Sequence, residues 1–131
     1  MTYTLDTNAC IGFLRGKHPR LQQRVLSHFN DIAITPVVVA ELYYGVEPSS
    51  NPAANRALTD TFLAPFPLLA FDRAAVAYGD IRANLAKRGQ LIGPNDFLIA
   101  AIARSSGVIL VTHNTCEFSR VDGLSLEDWE L

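Results

Sequence analysis

The chain of 131 residues has two cysteines, one tryptophan and two lysines, and no apolar run near the roughly 20 residues needed to cross a bilayer. Cys10 and Cys116 lie far apart without the close spacing of a zinc site, so a disulfide scaffold and a thiolate metal centre are excluded and both thiols are expected to stay reduced. The opening Met-Thr-Tyr-Thr-Leu-Asp lacks the basic and apolar regions of a signal peptide, which makes a cytoplasmic protein without membrane contact the expectation. Few lysines and a formal charge of −2 argue against holding nucleic acid by bulk charge. Chemistry on nucleic acid is not thereby excluded, because a basic rim can be local and metal ions reverse the sign of an acidic site.

What the chain does have is apolar material, 49% of its residues against 18% charged. That balance is incompatible with disorder, and the length suits one domain spanning 1–131. The apolar residues fall in short blocks that alternate between β-type and helical patterns, as in an α/β fold around a central parallel sheet with helices on both faces. Strands are expected at Tyr3 to Leu5, Ile32 to Ile34, Leu68 to Phe71 and Val108 to Thr112, with a weaker one near Leu124.

Helix punctuation is clearer. Thr35-Pro36 reads as a cap followed by proline at the first helical position, opening a helix to about Gly45. Asp72 is expected to cap a long helix with Ala74, Tyr78, Ile81 and Leu85 on one apolar stripe and Gly89 as its stop. Gly93-Pro94-Asn95 opens a helix from about Asp96 to Ser106, apolar on every side and therefore central. The Pro-, Ser- and Asn-rich stretch from Glu47 to Asn55 is expected to be a mobile loop, and Leu58, Phe62 and Leu63 to offer an apolar surface beyond it.

Four carboxylates stand where this punctuation puts strand ends and helix starts: Asp6, Glu41, Asp96 and Glu117. Ligands of open parallel sheets collect at the carboxyl ends of the strands, so one cleft can hold all four. Each has an ordinary reading too. Asp6 can simply cap a helix, Asp96 complements a helix dipole, and Glu117 lies in a polar segment where a solvated acid is unremarkable. Glu41 is harder to set aside, because its helical neighbours Val37, Val38, Tyr44 and Gly45 are mostly apolar. Its bland alternative is a buried ion pair with an arginine. His18 and His28 have no metal-type partner spacing and read as surface residues, although His18, beside Arg15, Lys17 and Arg20, can touch phosphate.

Asp6-Thr7-Asn8, Thr35-Pro36 with Ala40-Glu41-Leu42 and Tyr44-Gly45, Ile92 to Ala100 around Asp96, and Leu110 to Asn114 with Glu117-Phe118 together resemble the PIN-domain ribonucleases. More narrowly they resemble VapC, the toxin half of bacterial VapBC toxin–antitoxin pairs. The resemblance implies an α/β/α PIN domain with Mg²⁺- or Mn²⁺-dependent endoribonuclease activity. It also implies a homodimer neutralised by a VapB-type antitoxin and an RNA substrate, with initiator tRNA as the nearest match. Asp6, Glu41 and Asp96 then correspond to the family's acids. Relatives often carry Asp where this chain has Asn114, so the fourth carboxylate is assigned to Glu117, with Asn114 as a polar supporter.

The chemistry is consistent with that resemblance. Phosphodiester hydrolysis needs an activated water, a stabilised pentavalent phosphorus and a tolerable leaving oxygen, all of which divalent ions supply. Mg²⁺ prefers oxygen donors, matching acids unaccompanied by cysteine or paired histidines. Thr7, Asn8 and Thr112 are placed to hydrogen-bond the ligating carboxylates. A phosphate-accepting receiver domain would want a lysine at a strand end, and Lys17 and Lys87 are elsewhere. A haloacid-dehalogenase-type phosphatase would want Asp in place of Asn8. The remaining alternative is a non-catalytic PIN-like scaffold for RNA or protein, which would have eroded acids.

Overall fold

The computed structural model describes all 131 residues. Three short parallel strands, β1 (Tyr3–Leu5), β2 (Ile109–Val111) and β3 (Leu126–Glu127), lie in that order. Tyr3 pairs with Ile109 and Leu5 with Val111, and Leu110 pairs with Leu126. Single parallel bridges, Tyr3 to Ile32 and Ile34 to Leu68, carry the sheet two steps further on the other side of β1. The segments expected as strands at Ile32 to Ile34 and Leu68 to Phe71 are therefore present as edge pairings. The weak strand expected near Leu124 forms at Leu126–Glu127.

Seven helices surround the sheet: α1 (Thr7–Arg15), α2 (Pro19–Ser27), α3 (Pro36–Val46), α4 (Pro52–Leu63), α5 (Ala74–Lys87), α6 (Pro94–Ser106) and α7 (Thr115–Phe118). The starts follow local chemistry. Asp6 caps α1 by accepting the Ala9 N–H at 2.8 Å, and Thr35 caps α3 by accepting that of Val38 at 3.1 Å. Pro36 and Pro94 occupy first-turn positions whose N–H would be unpaired in any case. Gly107, at φ 68°, ends α6 in the left-handed region that a side chain disfavours.

Helix α6 is the axis of the core, with Ile99, Ala100, Ala101, Ile102 and Ala103 fully buried. It packs along α5 and against α3 and β2. Ala74, Ile81 and Leu85 turn the expected stripe of α5 inward, with Tyr78 half-buried beside them.

Two expectations fail here. Asp72 does not cap α5; the helix starts at Ala74, whose N–H binds the Phe71 carbonyl at 2.8 Å through a preceding turn. The expected mobile loop is shorter, because Asn51 accepts the Ala54 N–H and Pro52 takes the first helical position, so α4 begins inside it. As a result Phe62 is 8% exposed and belongs to the core, leaving Leu58 as the exposed apolar side chain of α4.

The C-terminal segment closes the sheet edge. Trp129 is buried, stacks on His28 at 5.1 Å, meets Tyr3 edge-on at 4.9 Å, and donates its indole N–H to Glu127 at 2.9 Å. His28, expected at the surface, is half-buried and packs against Trp129 and Tyr3. Trp129→Ala should lower unfolding stability by about 3–5 kcal/mol, the range for truncating a buried aromatic. Urea unfolding checks this, and a loss below about 1 kcal/mol would show that the tail is not part of the core. No helix is long and apolar enough to cross a membrane.

Candidate active site

Asp6 follows the last residue of β1, Thr35 leads from the Ile34 bridge into α3 and its Glu41, and Thr112 follows the last residue of β2. All three departures occur at the carboxyl edge of the parallel sheet, and the first turn of α6 brings Asp96 to the same edge. Glu117 reaches it from α7.

The four acids sense one another. Burial, with help from Glu117, Glu41 and Asp6, pushes the Asp96 carboxyl up to about 7. Burial likewise raises Asp6, opposed by hydrogen bonds from the Thr112 hydroxyl and the Ala9 N–H, which favour the carboxylate. Glu117 moves the other way. Hydrogen bonds from the Asn114 amide at 3.0 Å and the Gly93 N–H at 2.9 Å hold it below the usual range. Of these two neighbours Asp96 is therefore the one that keeps a proton more readily and Glu117 the one that stays ionised.

Gly93 leaves the Asp96 carboxylate uncrowded. A Cβ there would stand 3.3 Å from Asp96 Oδ2 and 4.0 Å from Glu117 Oε1.

Glu41 receives the Thr7 hydroxyl on Oε1 at 2.6 Å. No arginine pairs with it, and none of the ion pairs in the chain involves any of the four acids. The buried-ion-pair alternative for Glu41 therefore has no partner. Thr112 also orders the turn after β2, its Oγ1 accepting the Asn114 N–H at 2.9 Å. Asn8 is exposed, makes no side-chain hydrogen bond to the acids, and lines a groove instead.

That groove also takes in Arg15, Lys17, His18 and His113, while Arg20 lies outside it. Ligating atoms of His113, Asp128 and Glu130 converge to within 4.8 Å beside it. There, however, each acid already has a histidine nitrogen: His113 Nδ1 lies 2.9 Å from Asp128, and His18 Nε2 lies 3.3 Å from Glu130. The four acids of the cleft form no salt bridge and offer carboxylate oxygens alone, the donor type a hard divalent ion prefers. Asp128 and Glu130 carry no signal in the sequence, since no local spacing joins them to their histidines, and Gly93, legible as a helix opener, has the added role of donating its N–H to Glu117.

The PIN domain family model matches residues 3–124. The tRNA(fMet)-specific endonuclease VapC of Shigella flexneri is 42% identical over 130 residues, 98% of both chains. The chain belongs to the VapC ribonucleases of the PIN-domain family. Solved members have the same fold: the DNA-bound VapBC of Salmonella typhimurium superposes with a TM-score of 0.93 at 37% identity, covering 98% of each chain. VapBC2 of Rickettsia felis, bound to a promoter DNA fragment, gives 0.91 at 35% identity, covering 98% of this chain and 99% of that one. For a VapC ribonuclease the carboxyl edge of the sheet is the expected place for chemistry, and here it is the edge with the unpaired acids.

Proposed function

We propose that this chain is a divalent-metal-dependent endoribonuclease and the toxin of a toxin–antitoxin pair, cutting initiator tRNA to block translation. The observation that carries the reading is the meeting of four carboxylates from separate elements without a salt bridge to any of them, Arg120 acting on Glu117 only at longer range. Such a cluster is unfavourable in itself, as the raised Asp96 shows, and suits an ion that offsets the charge. The retained acids disfavour a non-catalytic scaffold.

Asp6 and Asp96 are the buried and half-buried carboxylates that would hold Mg²⁺ or Mn²⁺, with Glu41 and Glu117 completing the oxygen set. When bound, the ion supplies Lewis-acid stabilisation at the phosphoryl group and an acidified water. The chain's own groups do the positioning. Thr7 fixes one oxygen of Glu41, Thr112 and the α1 N-terminus orient Asp6, and Asn114 with Gly93 anchors Glu117. These contacts hold the ligands in place before substrate arrives, which lowers the ordering cost of binding.

Partners follow from the relatives, whose solved structures are VapBC complexes. A VapB-type antitoxin has a suitable seat in a groove of about 340 Å³ between α1, α3 and α4, which includes Leu14, Leu42 and Leu58 and opens onto Glu41 and Arg15. An amphipathic segment can fill it with apolar side chains while an arginine reaches the acids. A second copy of the chain is the other partner, and exposed Tyr44 and Leu68 offer apolar area for it. With a tRNA substrate and two unpaired thiols, the cytoplasm is the fitting compartment.

The decisive test is incubation of antitoxin-free protein with total cellular RNA and Mg²⁺ or Mn²⁺, with end mapping of the products. One dominant cut in initiator tRNA is expected. Absence of any cleavage, or degradation spread over all RNAs, would overturn the assignment.

A further inference from the structure

The chain carries little positive charge, and most of its arginines are engaged: Arg24, Arg82, Arg88, Arg104 and Arg120 all donate hydrogen bonds within the molecule. Arg15 and Lys17 do not. They lie free on the rim of the groove next to the acids, which has a volume of about 390 Å³. The cleft beside Glu41 and Asn95, about 610 Å³, has no lysine or arginine among its lining residues. A polyanion crossing the acids therefore meets favourable charge on one side only.

The opposite wall of the groove is held in place by Glu130. Its Oε1 lies 3.3 Å from His18 Nε2 and its Oε2 lies 3.9 Å from His113 Nδ1, while Asp128 takes His113 Nδ1 at 2.9 Å. Each imidazole is thus pinned through one nitrogen, leaving the other nitrogen and the ring faces available. His113 is well exposed, with 62% of its side chain accessible. Gly12 leaves room for Leu21, from which a Cβ at that position would lie 3.1 Å, beside the base of the His18 ring. Pinned rings beside free cations are the elements of a single-stranded nucleic-acid subsite, aromatic faces for bases and cations for the backbone.

We infer that this groove seats one unpaired nucleotide of the RNA next to the scissile bond, with Arg15 and Lys17 on its backbone phosphate and the His113 ring against its base. The inference rests on the nuclease reading above and adds to it the direction in which substrate leaves the acids. Asp128 and Glu130 each lie against a histidine nitrogen, at 2.9 Å from His113 and 3.3 Å from His18. Asp128 in turn favours the protonated form of His113, whose charge offsets that of the acid beside it and leaves Arg15 and Lys17 as the free cations of the groove.

The test uses full-length protein carrying Asp96→Asn, and fluorescence anisotropy with a labelled stem-loop hairpin of initiator tRNA, each of its hairpins in turn, titrated across salt concentrations. Arg15→Ala with Lys17→Ala should weaken binding and flatten the plot of log K against log salt by about 0.7 per lost phosphate contact. Lys17→Glu should weaken it further, whereas Arg73→Ala, on a surface away from the groove, should leave the slope unchanged. His113→Ala should cost about tenfold in affinity, and His113→Phe, which keeps a ring face, should recover most of it. If the Asp96→Asn protein binds the hairpin and the parent cleaves tRNA, yet affinity and slope ignore Arg15 and Lys17, the groove assignment is wrong and the nuclease reading stands. Equal losses in the Ala and Phe variants of His113 would overturn the stacking. A parent that cleaves no RNA would instead defeat the underlying nuclease reading.

Discussion

Asp96→Asn should abolish RNA cleavage and at the same time make the ion-free protein more heat-stable in mildly alkaline buffer. The Asp96 carboxyl is pushed up to about 7, chiefly by burial and then by Glu117, Glu41 and Asp6. A carboxyl raised in the folded state above its unfolded value near 3.9 binds its proton more tightly when folded. The stability it contributes is present at low pH and is lost as pH rises through about 7. At about pH 8 the parent must hold a charge its surroundings disfavour, while the amide of the variant holds none and can still donate to Glu117. The melting-temperature gain should therefore be large at about pH 8 and shrink toward about pH 4. Cleavage should fall by at least about a hundredfold, the upper range lost when even an outer partner of a metal ligand is removed. Undiminished cleavage, in a preparation shown free of other nucleases, would remove Asp96 from the mechanism. A melting difference that did not depend on pH would remove the electrostatic account.

The acids were legible because each sits beside a local signal that the fold obeys. Thr35-Pro36 opens α3 where expected, which fixes the turn of helix on which Glu41 stands. Gly93-Pro94 opens α6 and sets Asp96 in its first turn. By contrast, Asn51-Pro52 has the same chemistry and was read as loop because of its Pro- and Ser-rich surroundings, although cap and proline outweigh composition. Asp72 shows the opposite error. A good capping residue is no cap when the Phe71 carbonyl already takes the Ala74 N–H.

What stayed hidden depends on topology. His18, His28 and His113 lie far apart along the chain, yet all three meet the last residues because β3 docks parallel to β2 and carries Asp128, Trp129 and Glu130 with it. No periodicity or motif links residue 18 to residue 130, so the exposure of His18 is legible in the sequence while its contact with Glu130 is not. Gly93 is hidden for a different reason. Its φ of −60° is available to any residue, and the need for glycine appears only once two carboxylates are seen over its Cα.

Chelation of divalent ions should abolish cleavage, and restoring Mg²⁺ or Mn²⁺ near neutral pH should release protons as the ion binds. The Asp96 carboxyl is raised to about 7 in the ion-free protein, and a carboxylate must give up its proton to serve as a ligand. Below about pH 7 each ion bound should therefore expel up to about one proton, and apparent affinity should rise about tenfold per pH unit before levelling off above it. Calorimetry in buffers of different ionisation enthalpy reads the proton directly. Asp96→Asn should remove the proton release, whereas Lys17→Ala, which touches phosphate and not the acids, should leave it intact. Affinity that is flat with pH and free of proton release would show that Asp96 is not a ligand. Cleavage that survives chelation would show that the four acids act without an ion.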